Sequence, residues 1–282
     1  MSQGSDAPPL GLDHVVIGVV DLDAAAQTLA LVLGRGPSWR GRHPSYGTEN
    51  VLFRLDNAYL ELLAPDPAAQ VSTFWTDSLR EFLTGHGDGL FALALSTPDV
   101  ERTVQSVLAA GVSIDPAAPG EGVDLLSGAV RHWSNARIQA EASRGTPTLV
   151  IEHRSPPDAL PFAPFLVDRA ASAVSVLGLS IETVDLEGAG RFWRRALSLT
   201  ETPLEGGRRF EVGDASLLVF AGTGEGANPD RWFSITLGVE SVSTVADRLD
   251  AARVDFRQGD YREGYGLRLD VCGADVLLAE RQ

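Results

Sequence analysis

The chain has 282 residues, 44% of them hydrophobic and 22% charged, which suits a soluble globular protein of about two domains. Its formal net charge of −15 argues against non-specific binding to nucleic acid or an anionic membrane. All 23 basic residues are arginine, which excludes lysine Schiff-base chemistry, and the single cysteine, Cys272, excludes an intrachain disulfide and any cysteine-cluster metal site.

Residues 1–9 have no basic start and no apolar run, so they read as a flexible tail and not as a signal peptide. No stretch reaches the roughly 20 apolar residues that span a bilayer. A cytoplasmic protein is expected, with neither nucleic acid nor membrane as partner. His14 to Val20 is a β-branched strand, and Asp21 or Asp23 fits the N-cap of a helix over Ala24 to Leu33 that stops at Gly34. A Gly/Pro/Arg loop follows, then strands over Thr48 to Leu55 and Ala58 to Leu63 with Asp56-Asn57 as the turn. Phe74, Trp75 and Phe82 belong to a packing helix between modules, and His86 to a flexible Gly-rich loop.

A second unit runs from a strand at Leu90 to Ser96 through a helix at Val100 to Ala110 to strands near Val123 to Leu126, Ala129 to Ser134 and Thr148 to His153. A third has a strand at Val174 to Val184, a helix at Gly188 to Leu197, strands at Arg208 to Val212 and Ser216 to Phe220, and a loop over Gly222 to Asn228. A fourth has a strand at Phe233 to Val239, a helix at Val242 to Ala252, and strands at Leu267 to Val271 and Asp275 to Leu278. Cys272 reads as a small buried hydrophobe near the last strand, and Glu280 as a surface charge at the chain end.

These units repeat. The segment from Leu12 to Asp23 returns at Val176 to Glu187, an offset of 164, and Leu90 to Leu95 returns at Trp232 to Leu237, an offset of 142. Strand-helix-strand-strand(-strand), four times, is an α+β pattern with helices too short to cover both sheet faces, so a concave sheet face is expected. The boundaries follow: an N-terminal domain over 10–157, a connector over 158–173 and a C-terminal domain over 174–282.

Leu12-Asp13-His14-Val15-Val16, Asp21-Leu22-Asp23, Gly41-Arg42-His43-Pro44, Gly47-Thr48-Glu49-Asn50 and Tyr59-Leu60-Glu61-Leu62 together resemble the glyoxalase-like proteins of the vicinal oxygen chelate superfamily. The resemblance implies four βαβββ modules forming two domains with curved mixed sheets. It also implies metal ligands on the first and last strands of paired modules, here His14, Glu61 and Glu152. Glu152 aligns with Glu61 because each stands four residues before a proline. The fourth position falls on Ala92, which cannot ligate. Imidazole and carboxylates suit a divalent ion such as Zn, Ni, Mn, Fe or Mg. The corresponding positions of the C-terminal domain hold Gly178, Ser234, Leu218 and Leu278, so one site is expected, in the N-terminal domain.

Around that site His43 is the candidate acid/base, and Arg40 or Arg42 the candidate holder of an anionic substrate group. Thr48 and Asn50 share one strand face, opposite Val51 and Phe53. Arg131 and Trp133 share a face opposite His132, and either set suits the pocket. His153 should point away from Glu152. The resemblance implies a metal-dependent lyase or isomerase acting on a small oxygenated carbonyl compound, with Glu152 moving the proton and the metal stabilising an enolate. The alternatives are a non-catalytic drug- or metabolite-sequestering protein and, below it, an extradiol-type dioxygenase, whose second histidine is missing. The partner is a small molecule, and the chain is expected as a monomer or homodimer.

Overall fold

The computed structural model describes residues 7–222 and 230–281. The first module contains β1 (Gly11–Gly18), α1 (Leu22–Leu33), β2 (Trp39–His43), β3 (Thr48–Arg54) and β4 (Tyr59–Pro65). Asp21 caps α1 by accepting from the Ala24 N–H, and Gly34 ends it at φ 68°, a conformation that a Cβ would disfavour. After α2 (Phe74–His86) the second module has β5 (Gly89–Ser96), α3 (Val100–Ala109), β6 (Ala118–Asp124), β7 (Val130–Arg137) and β8 (Thr148–His153).

The eight strands of these modules form a closed barrel of strand order β1-β4-β3-β2-β6-β7-β8-β5. β1 pairs parallel with β4 and antiparallel with β5, and the ring closes where Gly41 and Arg42 of β2 meet Asp124 and Val123 of β6. The third module has β9 (Ala173–Thr183), α4 (Leu186–Arg191) with a π-helical continuation over Phe192–Ala196, β10 (Thr200–Leu204), β11 (Gly207–Val212) and β12 (Ala215–Ala221). The fourth has β13 (Asp230–Val239), α5 (Val242–Ala251), β14 (Arg257–Tyr261), β15 (Gly264–Val271) and β16 (Ala274–Glu280). Their sheet repeats the same order, but β10 and β14 remain its two edges. The class is the expected α+β one, two curved sheets built from four modules.

The core lies between the sheets and the helices, not inside the barrel. Val15, Ile17, Val51, Phe53, Leu60 and Leu62 turn outward into a buried cluster that continues through Val176, Leu217 and Leu278 of the second sheet. Alternation then sends His14, Val16, Asn50, Leu52, Glu61 and Leu63 inward. No helix of the described residues is long and apolar enough to cross a membrane.

Several expected elements are corrected. β2 replaces the loop expected after α1, and β10 and β14 were not anticipated. β6 starts at Ala118 and ends at Asp124, not at Leu126. These strands carry little apolar sequence, with glycine and charge in β2, β6 and β14 and threonine, glutamate and proline in β10, and they form by pairing with a neighbour that is already in place. His86 ends α2 and stacks on Phe82 instead of sitting in a loop. Cys272 sits half-buried in the turn between β15 and β16, at φ 53°. The loop expected over 222–228 lies, beyond Gly222, outside the described residues.

The two sheets are joined through polar contacts as well as apolar ones. In the β3–β4 turn, Asn57 accepts from the Val176 N–H at 2.9 Å and donates to the Val176 carbonyl at 2.8 Å. One side chain thus satisfies both backbone groups of a β9 residue beyond the reach of β12. Replacing Asn57→Ala leaves both unpaired and should destabilise the protein by about 2 kcal/mol or more in urea unfolding; a change below about 0.5 kcal/mol would contradict this role.

Candidate functional site

A cleft inside the barrel holds about 740 Å³ of empty space, open solvent included. Module one lines it with polar groups: His14 from β1, His43 from β2, Thr48 and Asn50 from β3, and Tyr59 and Glu61 from β4. Module two adds Phe91, Leu149 and Ile151, with Trp75 from α2, and β7 contributes Arg131, Trp133 and Asn135. Gly41 and Gly120 let the indoles of Trp39 and Trp133 lie flat on the seam between β2 and β6. A Cβ at Gly41 would collide with Trp39, and one at Gly120 with Trp133 and the Tyr46 hydroxyl.

The polar half is one hydrogen-bonded array. Asp13 Oδ1 lies 2.6 Å from His14 Nδ1, and Asp13 Oδ2 lies 2.8 Å from His153 Nε2. His14 Nε2 lies 3.3 Å from Glu61 Oε2. Asn50 Nδ2 donates to Glu61 Oε1 at 2.7 Å and lies 3.2 Å from His43 Nε2. His43 Nδ1 lies 2.9 Å from Thr48 Oγ1.

Elementary bonding rules fix the protons. An ionised Glu61 only accepts, so the Asn50 amide must turn its NH₂ toward it. The same NH₂ then faces His43 Nε2, which must carry the lone pair, so the His43 proton sits on Nδ1 and points at Thr48. Burial opposes charge on all these groups. For His14, the hydrogen bonds to Asp13 and Glu61 overcome it and push the imidazole up to about 9. Burial also opposes the Glu61 charge, yet the His14 bond holds its carboxyl below the usual range. Asp13 is held well below that range by His14 and His153, again against burial. His43 has no such bond to a carboxylate, and burial pushes it down. The site therefore presents an imidazolium, a carboxylate and a neutral imidazole side by side.

The sequence profile of the glyoxalase-like domain matches residues 12–197, well over half of the chain. The chain belongs to the glyoxalase-like domain family. It is thereby a member of the vicinal oxygen chelate superfamily. Three solved structures share the fold of this glyoxalase-like protein. A hypothetical protein from Staphylococcus aureus has a TM-score of 0.70 and 13% identity, with 96% of this chain and 100% of that one covered. A mutant of 4-hydroxymandelate synthase from Streptomyces coelicolor has a TM-score of 0.60 and 14% identity, with 89% and 77% covered. A xylose isomerase-like TIM barrel/4-hydroxyphenylpyruvate dioxygenase fusion protein has a TM-score of 0.60 and 12% identity, with 99% of this chain and 50% of that one covered. At these identities the likeness concerns the fold alone. A comparison with curated protein sequences gives no match.

Superfamily members generally use a divalent metal, and the donors here do not fit one. Glu152, expected beside His14 and Glu61, is on the other face of β8. Ile151 takes the cavity position, while Glu152 Oε2 accepts from the Val100 N–H at the start of α3 at 3.0 Å and pairs with Arg154. Glu280 does the same in the fourth module, accepting from the Val242 N–H of α5 at 3.2 Å. Glu152 is therefore the helix cap that the repeat carries, and Glu280 is more than the surface charge expected. Among the described residues no three His, Cys, Asp or Glu side chains gather as metal ligands. A catalytic metal commonly takes three protein ligands; here His14 and Glu61 face apolar Leu149 and Ile151 across the cavity.

Arg40 and Arg42 are also corrected. They alternate with the inward Trp39, Gly41 and His43, so Arg40 pairs with Asp23 outside the barrel and Arg42 is exposed. His43, Thr48, Asn50, Arg131 and Trp133 all line the cavity, which resolves the open choice on β7. The sequence reading missed Asp13, Tyr59, Trp75, Asn135 and His153. Tyr59 and Asn135 were reachable by alternation from Glu61 and Trp133. Nothing local marks His153, whose partner lies 140 residues away.

The raised His14 group has a definite consequence for stability. Its contribution is fully present below the ordinary value of 6.5 and is lost as pH rises through about 9. The stability difference between the native chain and His14→Gln, from urea unfolding, should shrink across that interval. A difference that stays constant through it would contradict the buried imidazolium.

Proposed function

We propose that the cavity catalyses proton transfer at a carbon next to the carbonyl of a small oxygenated compound, in the manner of an isomerase or lyase. The observation that carries this reading is the pairing of two imidazoles, one protonated and one neutral, around one carboxylate, Glu61. Neutral His43 takes the proton on Nε2 as the C–H bond breaks. The electron pair moves to the carbonyl oxygen, which accepts a hydrogen bond from the His14 Nε2–H. Glu61 Oε1, 4.0 Å from His43 Nε2, stabilises the imidazolium that His43 becomes. Asp13 holds the His14 ring in place, and Thr48 holds that of His43. Return of the proton to the same or a neighbouring carbon completes an isomerisation; expulsion of a leaving group completes an elimination. No step passes through a metal.

A second reading is sequestration of a ligand without turnover. The apolar wall from module two favours it, because Trp75, Phe91, Leu149 and Ile151 offer contact without chemistry.

Hydrogen–deuterium exchange at the α-carbon separates the two. In D₂O, proton NMR with a panel of 2-oxo, 2-hydroxy and 3-oxo carbonyl compounds should reveal exchange catalysed by the protein. His43→Ala should lower the rate by roughly 10² to 10⁴ while the fold is retained. Binding of panel compounds with full recovery of unexchanged ligand would reject catalysis in favour of sequestration.

A further inference from the structure

We infer that Arg131 is a carboxylate subsite, and that the ligand of this cavity is a small monocarboxylate whose apolar, ring-sized body lies against Trp75, Phe91, Leu149 and Ile151. The inference rests on the cavity being a ligand site, as proposed above, and sharpens the class of ligand. Arg131 is only 7% exposed. Its guanidinium lies over the Trp39 ring at 5.4 Å and the Tyr59 ring at 5.8 Å, and against the Tyr59 hydroxyl. No carboxylate of the described residues comes within 4.0 Å of it.

Other buried or half-buried arginines show what a structural role looks like. Arg144 Nε lies 2.7 Å from Asp230, and Arg268 Nε lies 2.7 Å from Asp275. Arg35, against Phe165, donates to the Arg54 carbonyl at 2.8 Å. Among the described residues Arg131 meets neither a carboxylate nor a backbone carbonyl, only two ring faces and the Tyr59 hydroxyl, and it faces empty space. A ring-face contact recovers about 2 kcal/mol when desolvated, whereas an ion removed from water without a counter-ion costs several. A carboxylate supplied from the cavity removes that deficit, and guanidinium is the side chain that matches it in two parallel hydrogen bonds.

Position selects the rest of the ligand. Asp13, His14 and Glu61 already neutralise much of one another, so a second anion is favoured only beside Arg131. Arg131 also borders a neighbouring crevice, but Arg54, Asp56, Asn57 and Ser155 make that crevice polar. An apolar body therefore belongs in the barrel, where module two lines the wall.

The test uses two probes of one shape, 3-phenylpropanoate and 3-phenylpropanol, titrated into the full chain by calorimetry. The native protein should bind the acid about 10- to 100-fold more tightly than the alcohol. Arg131→Met should abolish that discrimination and, without ligand, should keep or raise the melting temperature, since it removes an uncompensated charge. Equal affinity for both probes, no binding of either, or a melting temperature that falls because Arg131 braces the fold would each overturn the inference. Binding is read without turnover, so an acid-selective protein that exchanges no α-proton leaves the subsite standing and rejects only the catalytic reading.

Discussion

The site depends on one register: β1 runs parallel to β4 with Val16 opposite Glu61 and His14 opposite Tyr59. In a parallel pair, residues of the same parity point to the same face, so His14 and Glu61 both turn into the barrel, and Tyr59 stacks on the His14 ring with 4.5 Å between centroids. A slip of one residue would send Glu61 into the helix-facing core and put Leu60 or Leu62 in the cavity. The outward positions Val15, Ile17, Leu60 and Leu62 hold the register because each is fully buried in the core outside the barrel. Hydrophobic pattern on one face thus fixes electrostatics on the other. Two carboxylates and an imidazole that would each avoid burial alone become mutually compatible once brought together.

Duplication explains why the chemistry is one-sided. All four modules share strand order and a side-chain N-cap on the helix, and modules two and four add last-strand glutamates, Glu152 and Glu280, that each accept from the first N–H of a helix. Module one places His14 and Glu61 on the inner face of its first and last strands. Module two answers with Ala94, Leu149 and Ile151, and its polar contribution comes from the middle strand, at Arg131 and Asn135. The barrel is thereby divided into a reactive wall and an apolar wall. In the second sheet β10 and β14 do not meet, and Gly178 and Leu218 occupy the places of His14 and Glu61. Its role in this account is to cover the outer face of the barrel, tied by Asn57 and by Arg248, which donates to the Val32 carbonyl at the end of α1.

Much of this was legible in the sequence, and the failures have physical causes. Long β-branched runs such as His14 to Val20, Asp caps such as Asp21 and Asp99, and the repeat itself fixed the first and last strands and the helices of every module. β2, β10 and β14 carry little apolar signal, since they are short strands completed by neighbours formed from distant sequence. Thr48 and Asn50 were placed by alternation because Val51 and Phe53 supply a clear opposite face. β8 offers no such contrast. Leu149, Val150 and Ile151 are all apolar, so counting back from a proline assigned Glu152 to the wrong face by a single residue. The array through His153, Asp13, His14, Glu61, Asn50 and His43 is a property of three-dimensional adjacency and could not be read from any local pattern.

The central claim is that this cavity keeps two histidines in opposite protonation states at neutral pH. Nitrogen-15 NMR of the histidine rings reads that state directly. The account predicts His14 doubly protonated and His43 neutral with its proton on Nδ1, each assigned through His14→Gln and His43→Gln variants. Both rings neutral, or His43 carrying its proton on Nε2, would contradict it.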